Sequence, residues 1–85
     1  MTEVIVYTKK PCPYCDRAKI LLKNKGVAFQ EKLLTTHEEM MDLKKKTGWM
    51  TFPQIFIGGK MVGGYDDLSE LDEKGELDTL LGMKS

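Results

Sequence analysis

An α/β fold, with four strands in one mixed sheet and helices on both faces, is predicted by three features of the chain. Val4-Ile5-Val6-Tyr7 is a continuous β-branched and aromatic run, an amphipathic segment opens at Pro13, and two more strand-like runs flank Gly58-Gly59. The first two features, with a further strand at Ala28–Leu33, make a βαβ unit. The last is a hairpin followed by a helix, so the order reads βαβ then ββα. Eighty-five residues build one small domain, and residues 1–85 are expected to fold as a unit around one core.

Each element has its own reason. Val4–Tyr7 reads as a short strand buried on both faces. Tyr14, Ala18, Leu21, Leu22 and Lys25 recur at helical spacing, Pro13 suits a first helical position, and Gly26 offers a stop. Ala28–Leu33 alternates imperfectly and is expected at an edge, parallel to the first strand because a helix intervenes. Thr36-His37-Glu38-Glu39 has the capping-box pattern and opens a second helix that ends near Gly48, with Met40, Met41 and Leu43 on its apolar side. Gln54–Ile57 and Lys60–Val62 form the hairpin on a two-glycine turn. A third helix is expected to begin at Asp66-Asp67, with Leu68 and Leu71 facing inward, and Leu77–Leu81 adds a last turn or two.

Charge and composition exclude several classes. Formal net charge is zero and the pI is about 6.6, with no basic stripe interleaved with aromatics, which argues against nucleic acid. No run approaches membrane-spanning length and no secretory leader pattern opens the chain, so a cytoplasmic protein is expected. The balance hides an asymmetry: residues 1–32 carry seven Lys/Arg against three acids, while residues 66–78 carry seven acids and only Lys74. The two cysteines, Cys12 and Cys15, lie in the basic half.

Cys12-Pro13-Tyr14-Cys15 sits between the first strand and the first helix, where unpaired backbone N–H groups stabilise a thiolate. Cys12 is the expected N-cap and Cys15 the N3 residue. The first sulfur should face solvent as nucleophile, and the second should shelter against Ala18 and Leu22 as resolving thiol. Structural zinc is the competing use, but one histidine, His37, and two cysteines do not fill a four-ligand N/S site without carboxylates or a second chain.

Lowering the Cys12 pKa from about 8.5 to about 5 needs roughly 5 kcal/mol of preference for the thiolate. A helix dipole contributes about 0.3–2 kcal/mol, so N–H groups of Tyr14 and Cys15 and the charge of Lys9 or Lys10 must supply the rest. The thiolate fraction at neutral pH then rises about thirtyfold, while a Brønsted coefficient of ~0.45 lowers nucleophilicity by about as much. The gain falls on departure: a low-pKa thiolate leaves a mixed disulfide faster.

Two other segments carry chemistry. Thr51-Phe52-Pro53 precedes the hairpin, and a cis Phe52–Pro53 bond would leave the Phe52 backbone free to pair with an extended substrate. Gly63-Gly64-Tyr65-Asp66-Asp67 bends into a helix start, where N–H groups can hold a carboxylate and an aspartate an ammonium, the two charges of an α-amino acid. Tyr14 and Trp49 read equally as packing or contact residues. Met40, Met41 and Met61 read as core filler.

Taken together, Tyr7-Thr8-Lys9, Cys12-Pro13-Tyr14-Cys15, Thr51–Ile57 and Gly63–Asp67 give the chain a pattern that resembles the glutaredoxins, of the small bacterial dithiol type, over almost its whole length. The resemblance implies a thioredoxin-like fold, a cis Pro53, and a glutathione-dependent thiol-disulfide oxidoreductase. By position, Cys12 and Cys15 are the catalytic pair. Lys9 and the turn at Gly64, Tyr65 and Asp66 hold the two ends of glutathione, Thr51, Phe52 and Pro53 line its cysteine, and Tyr14 completes the site. Glutathione is the co-substrate with no permanently bound cofactor, the partners are disulfide-containing or glutathionylated proteins, and a monomer is expected. An alternative the resemblance allows is a module in which Cys12 and glutathione from two chains ligate an iron–sulfur cluster, which Pro13 disfavours. The chain departs from many relatives at four places: Phe52 stands for valine, Tyr65 for cysteine, Trp49-Met50 for a basic residue shortly before the threonine, and Met40 for a polar residue early in helix two.

Overall fold

The computed structural model describes residues 2–82. Along the chain run β1 (Val4–Thr8), α1 (Pro13–Asn24), β2 (Gln30–Leu33), α2 (His37–Thr47), β3 (Gln54–Ile57), β4 (Lys60–Gly63), α3 (Tyr65–Glu73) and α4 (Glu76–Leu80). The strands form one sheet in the order β2-β1-β3-β4. β1 and β2 are parallel, as a helical crossover requires, and β3 is antiparallel to both β1 and β4. This is the thioredoxin-like arrangement expected above, with β2 at one edge.

Local chemistry sets the element ends. Cys12 caps α1 and Pro13 fills its first position, where the missing N–H has no helical partner to lose. Thr36 and Glu39 close the reciprocal capping box on α2: the Thr36 hydroxyl accepts from Glu39 N–H and the Glu39 carboxylate accepts from Thr36 N–H, each at 3.1 Å. Gly48 ends that helix at φ 74°, a left-handed position that suits a residue without Cβ. Both residues of the Gly58-Gly59 turn have positive φ, at 61° and 80°, as a tight hairpin demands.

The main core lies on one face of the sheet. Val4 and Val6 of β1 and Ile55 and Ile57 of β3 pack against Ala18 and Leu22 of α1, Leu68 of α3 and Leu77 of α4. Burial of each large aliphatic side chain contributes about 1.5–3 kcal/mol, so these helices are held mainly by their apolar stripes. Lys25, at the end of α1, places its ammonium 2.6 Å from Asp72 and 2.9 Å from Asp78, tying α1 to the α3–α4 corner.

Four expectations need correction. β1 is not buried on both faces: Val4, Val6 and Thr8 are buried, but Ile5 and Tyr7 are only partly covered. The reason is α2, none of whose residues is buried, so Met40, Met41 and Leu43 cover that face incompletely. Met61 is likewise only partly buried and does not fill the core. β2 begins at Gln30 rather than Ala28, and α3 begins at Tyr65 rather than Asp66, with Gly64 as its N-cap.

Candidate active site

Register brings the site together. Tyr7 pairs with Gln54 where β1 runs antiparallel to β3, so the chain leaving β1 through Lys9 toward Cys12 passes beside the chain entering β3 through Thr51, Phe52 and Pro53. Buried Gln54 also fixes the loop before it. Its amide donates to the Trp49 carbonyl at 2.7 Å, and its Oε1 lies 2.9 Å from the Thr47 hydroxyl, which in turn accepts from Trp49 N–H at 3.1 Å. A buried side chain with both ends bonded holds the loop from Thr47 to Trp49 in one place.

Cys12 and Cys15 are joined by a disulfide, their Cα atoms 5.2 Å apart. Cys12 is 9 % exposed and Cys15 1 %, and both pack against Phe52. The expected inequality holds, although Cys12 is more covered than a freely solvent-facing sulfur. Its Sγ accepts from the N–H of Cys15 at 3.1 Å, the N-cap geometry. Among the described residues the Tyr14 N–H makes no such bond, so one of the two expected donors is in place.

The remaining predicted residues divide between two clefts. Tyr14, Thr51, Phe52, Gly64, Tyr65 and Asp66 line one, of about 250 Å³. Tyr14 is 52 % exposed, so it lies outside the core, and its ring lies 6.2 Å from that of Tyr65. The Phe52–Pro53 bond is cis, and the Pro53 carbonyl lies 3.6 Å from where a Gly64 side chain would begin, so the α3 turn and the Pro53 loop sit against one another. Lys9 and Cys12 line the second cleft, of about 500 Å³, with Lys10, Asp16, Lys19 and Glu31. Lys9 also reaches Phe52, its Nζ 6.0 Å from the ring centre.

Several bordering residues lie outside the set predicted from sequence. Asp67 lines the first cleft and accepts a hydrogen bond from Gly64 N–H at 3.0 Å, a position legible as N3 once Gly64 is the cap. Trp49 lines it too, its indole N–H buried without an acceptor among the described residues. Glu31 enters the second cleft from β2, where no local motif marks it. Its carboxylate accepts from the Thr8 hydroxyl at 2.8 Å and from Lys19 at 3.0 Å, and these bonds, the Thr8 one foremost, hold it below the ordinary carboxylate range. The Glu31 bond in turn raises Lys19. No group of three or more His, Cys, Asp or Glu among the described residues could hold a metal ion.

Comparison with known proteins agrees with this geometry. The family model for glutaredoxin matches residues 4–62. The chain is 51 % identical over 85 residues to glutaredoxin 3 of Escherichia coli (strain K12), covering 95 % of this chain and 99 % of that one. It is 50 % identical to a glutaredoxin of Pseudomonas aeruginosa, covering 95 % and 98 % of the two chains. Among solved structures, the solution structure of glutaredoxin from Brucella melitensis aligns with TM-score 0.80 at 46 % identity, covering 100 % of this chain and 96 % of that one. A buckwheat glutaredoxin–glutathione complex aligns with TM-score 0.86 at 33 % identity, covering 95 % and 77 %. With a helix-capping cysteine at the rim of one cleft, paired to a buried one, the chain belongs to the glutaredoxin family and is a dithiol thiol-disulfide oxidoreductase.

Proposed function

We propose that this protein reduces glutathione mixed disulfides and protein disulfides at the expense of glutathione, with Cys12 as nucleophile and Cys15 as resolving thiol. The observation that carries the reading is the convergence of Tyr14, Thr51, Phe52, Gly64, Tyr65 and Asp66, from separate segments, on one cleft beside the cysteines. Such a cleft suits an extended γ-glutamyl peptide. Its α-amino acid end meets the α3 N-terminus and Asp66, and its cysteine lies along Thr51, Phe52 and Pro53 toward Cys12. The buckwheat relative was solved as a glutathione complex, which supports glutathione as the ligand.

The reaction has two exchanges. The Cys12 thiolate attacks the glutathione sulfur of a mixed disulfide; the old S–S bond breaks, and the protein thiolate leaves and takes a proton. A second glutathione thiolate then attacks the glutathione sulfur on Cys12, giving oxidised glutathione and returning Cys12 as thiolate. With a protein disulfide, Cys15 resolves the adduct instead, leaving the Cys12–Cys15 disulfide for glutathione to reduce. Glutathione is a substrate here, not a resident group. Residues 1–85 act as one domain and as a monomer. No helix among the described residues is long and apolar enough to cross a membrane, and a dithiol recharged by glutathione suits a reducing cytoplasm.

The deciding assay compares turnover on one disulfide substrate with glutathione plus glutathione reductase against turnover with a thioredoxin reductase system. Faster turnover with glutathione is expected, and the opposite order would overturn the reading.

A further inference from the structure

The cleft that Cys12 lines is not the one assigned to glutathione. It encloses about 500 Å³ between Lys10, Pro11, Asp16, Lys19 and Glu31, and shares no lining residue with the cleft of Tyr14 and Asp66. The two lie on opposite flanks of the first turn of α1. β2 borders the one and the segment entering β3 the other, and these strands stand on either side of β1. Tyr14 and Asp16, two positions apart on the helix, accordingly line different clefts.

Charge in the second cleft is unevenly compensated. Lys19 pairs with Glu31 at 3.0 Å and with Asp16 at 3.6 Å, and Glu31 also accepts from Thr8, so both carboxylates have partners. Lys9 places its ammonium 6.0 Å from the Phe52 ring centre. Lys10 is exposed, and among the described residues no carboxylate lies within ion-pair distance of it. Pro11 and Pro13, both exposed, flank Cys12 and give the cleft apolar footing beside that cation.

A mixed disulfide brings a polypeptide to this cleft. The bond holds its two Cα atoms about 4.4–6.8 Å apart, so with glutathione in the first cleft the polypeptide joined to it must pass close to Cys12. A residue two positions from the joined cysteine lies up to about 7 Å further along the chain, and the same limit governs the distance from Cys12 to Lys10. We propose that the second cleft seats the polypeptide of a glutathionylated substrate, and that Lys10 selects segments carrying Asp or Glu two positions to one side of the target cysteine. The proposal rests on the glutathione site proposed above.

The test uses the Cys15→Ser protein and glutathionylated peptides of one sequence, with Glu or Lys two positions before or two positions after the cysteine. The readout is the Glu-over-Lys ratio of kcat/KM within each protein, so any effect of Lys10 on Cys12 itself cancels. Parent protein should prefer Glu about two- to tenfold at low salt, from one side of the cysteine only. Lys10→Glu should invert the ratio on that side, whereas Lys23→Glu, an equal charge change in the last turn of α1, should keep the parent ratio. A parent ratio near one, equal preference from both sides, an unchanged ratio in Lys10→Glu, or an equal shift in Lys23→Glu overturns the assignment of Lys10. A parent that reduces the glutathione adduct no faster than a 2-mercaptoethanol adduct of the same peptide overturns the glutathione site instead.

Discussion

The backbone N–H of Cys15 lies 3.1 Å from the sulfur of Cys12, so one cysteine caps the helix that the other belongs to. The two sulfurs thereby differ in what they can reach. Cys12 sits at the rim of a cleft, and Cys15, 1 % exposed, is buried in the cluster it forms with Cys12 and Phe52. Cys12→Ser should abolish turnover of every substrate. Cys15→Ser should retain reduction of glutathione mixed disulfides and lose reduction of protein disulfides by the dithiol route. Parallel assays on a glutathionylated peptide and an intramolecular protein disulfide check this, and equal loss in both variants would reverse the roles.

Asp67 holds the turn that the γ-glutamyl end is proposed to meet. Its carboxylate accepts from Gly64 N–H at 3.0 Å and places a negative charge in the first turn of α3. Asp67→Ala should cost about 0.5–2 kcal/mol, the usual worth of such a cap, and lower Tm by about 4–8 °C per kcal/mol. Gly63→Ala should be worse. Its φ is +126°, and the added Cβ would stand 2.5 Å from the Asp67 carboxylate oxygen. Gly64→Ala meets only ordinary contacts, at 3.6 Å or more, and should stay within a few degrees of the parent Tm. A Tm series that ranked Gly64→Ala below Gly63→Ala would contradict the geometry.

Leu22 joins α1 to the sheet and is fully buried in the main core. Leu22→Ala removes apolar contact and leaves a cavity, at a cost of about 2–5 kcal/mol. A domain of this length has roughly 4–13 kcal/mol to lose, so Tm should fall by more than about 8 °C. Disulfide exchange at low temperature should persist, because Leu22 belongs to the main core cluster and not to the one formed by Cys12, Cys15 and Phe52; denaturant melts and a turnover assay at about 10 °C separate the two effects.

Local chemistry made much of this readable before any coordinates. The Thr36–Glu39 box, the Gly58-Gly59 turn and the Cys12 cap each depend on residues within four positions of one another. What failed depends on distant partners. The β-branched run at Val4–Tyr7 reads the same whether one face or both are covered, and only the partial cover from α2 decides. Gly64 as N-cap has no side chain to announce it, so the adjacent aspartates drew the assignment. Glu31 beside Thr8 comes from an element remote in sequence, and no spacing rule reaches it. Thr51, Phe52 and Gly64–Asp66 line one cleft, but each segment alone reads equally as a ligand contact or as an ordinary strand start or helix turn, and only the family resemblance joined them into one expected site.

Glu31 gives the fold a pH dependence with a definite sign. Bonds from the Thr8 hydroxyl and then from Lys19 hold its carboxyl below the ordinary value of 4.5. A carboxyl depressed in the folded state stabilises that state above its unfolded pKa, and the contribution is lost as pH falls through the lowered folded value. Lys19, raised above 10.5, contributes fully below that value and loses its share only as pH rises through the raised one. Both contributions are therefore present at neutral pH; protonation of Glu31 sets the acid limb, while the Lys19 share, which the Glu31 bond itself creates, is lost only at alkaline pH. Glu31→Gln should lower Tm at pH 7, and the difference from the parent should shrink as pH falls from about 4.5 toward 2. Added salt should narrow the neutral-pH difference, because the Lys19 pair is partly exposed. Thermal melts at half-unit pH steps decide the matter: a Glu31→Gln profile parallel to the parent through the acid range would show that this carboxylate carries none of the linkage.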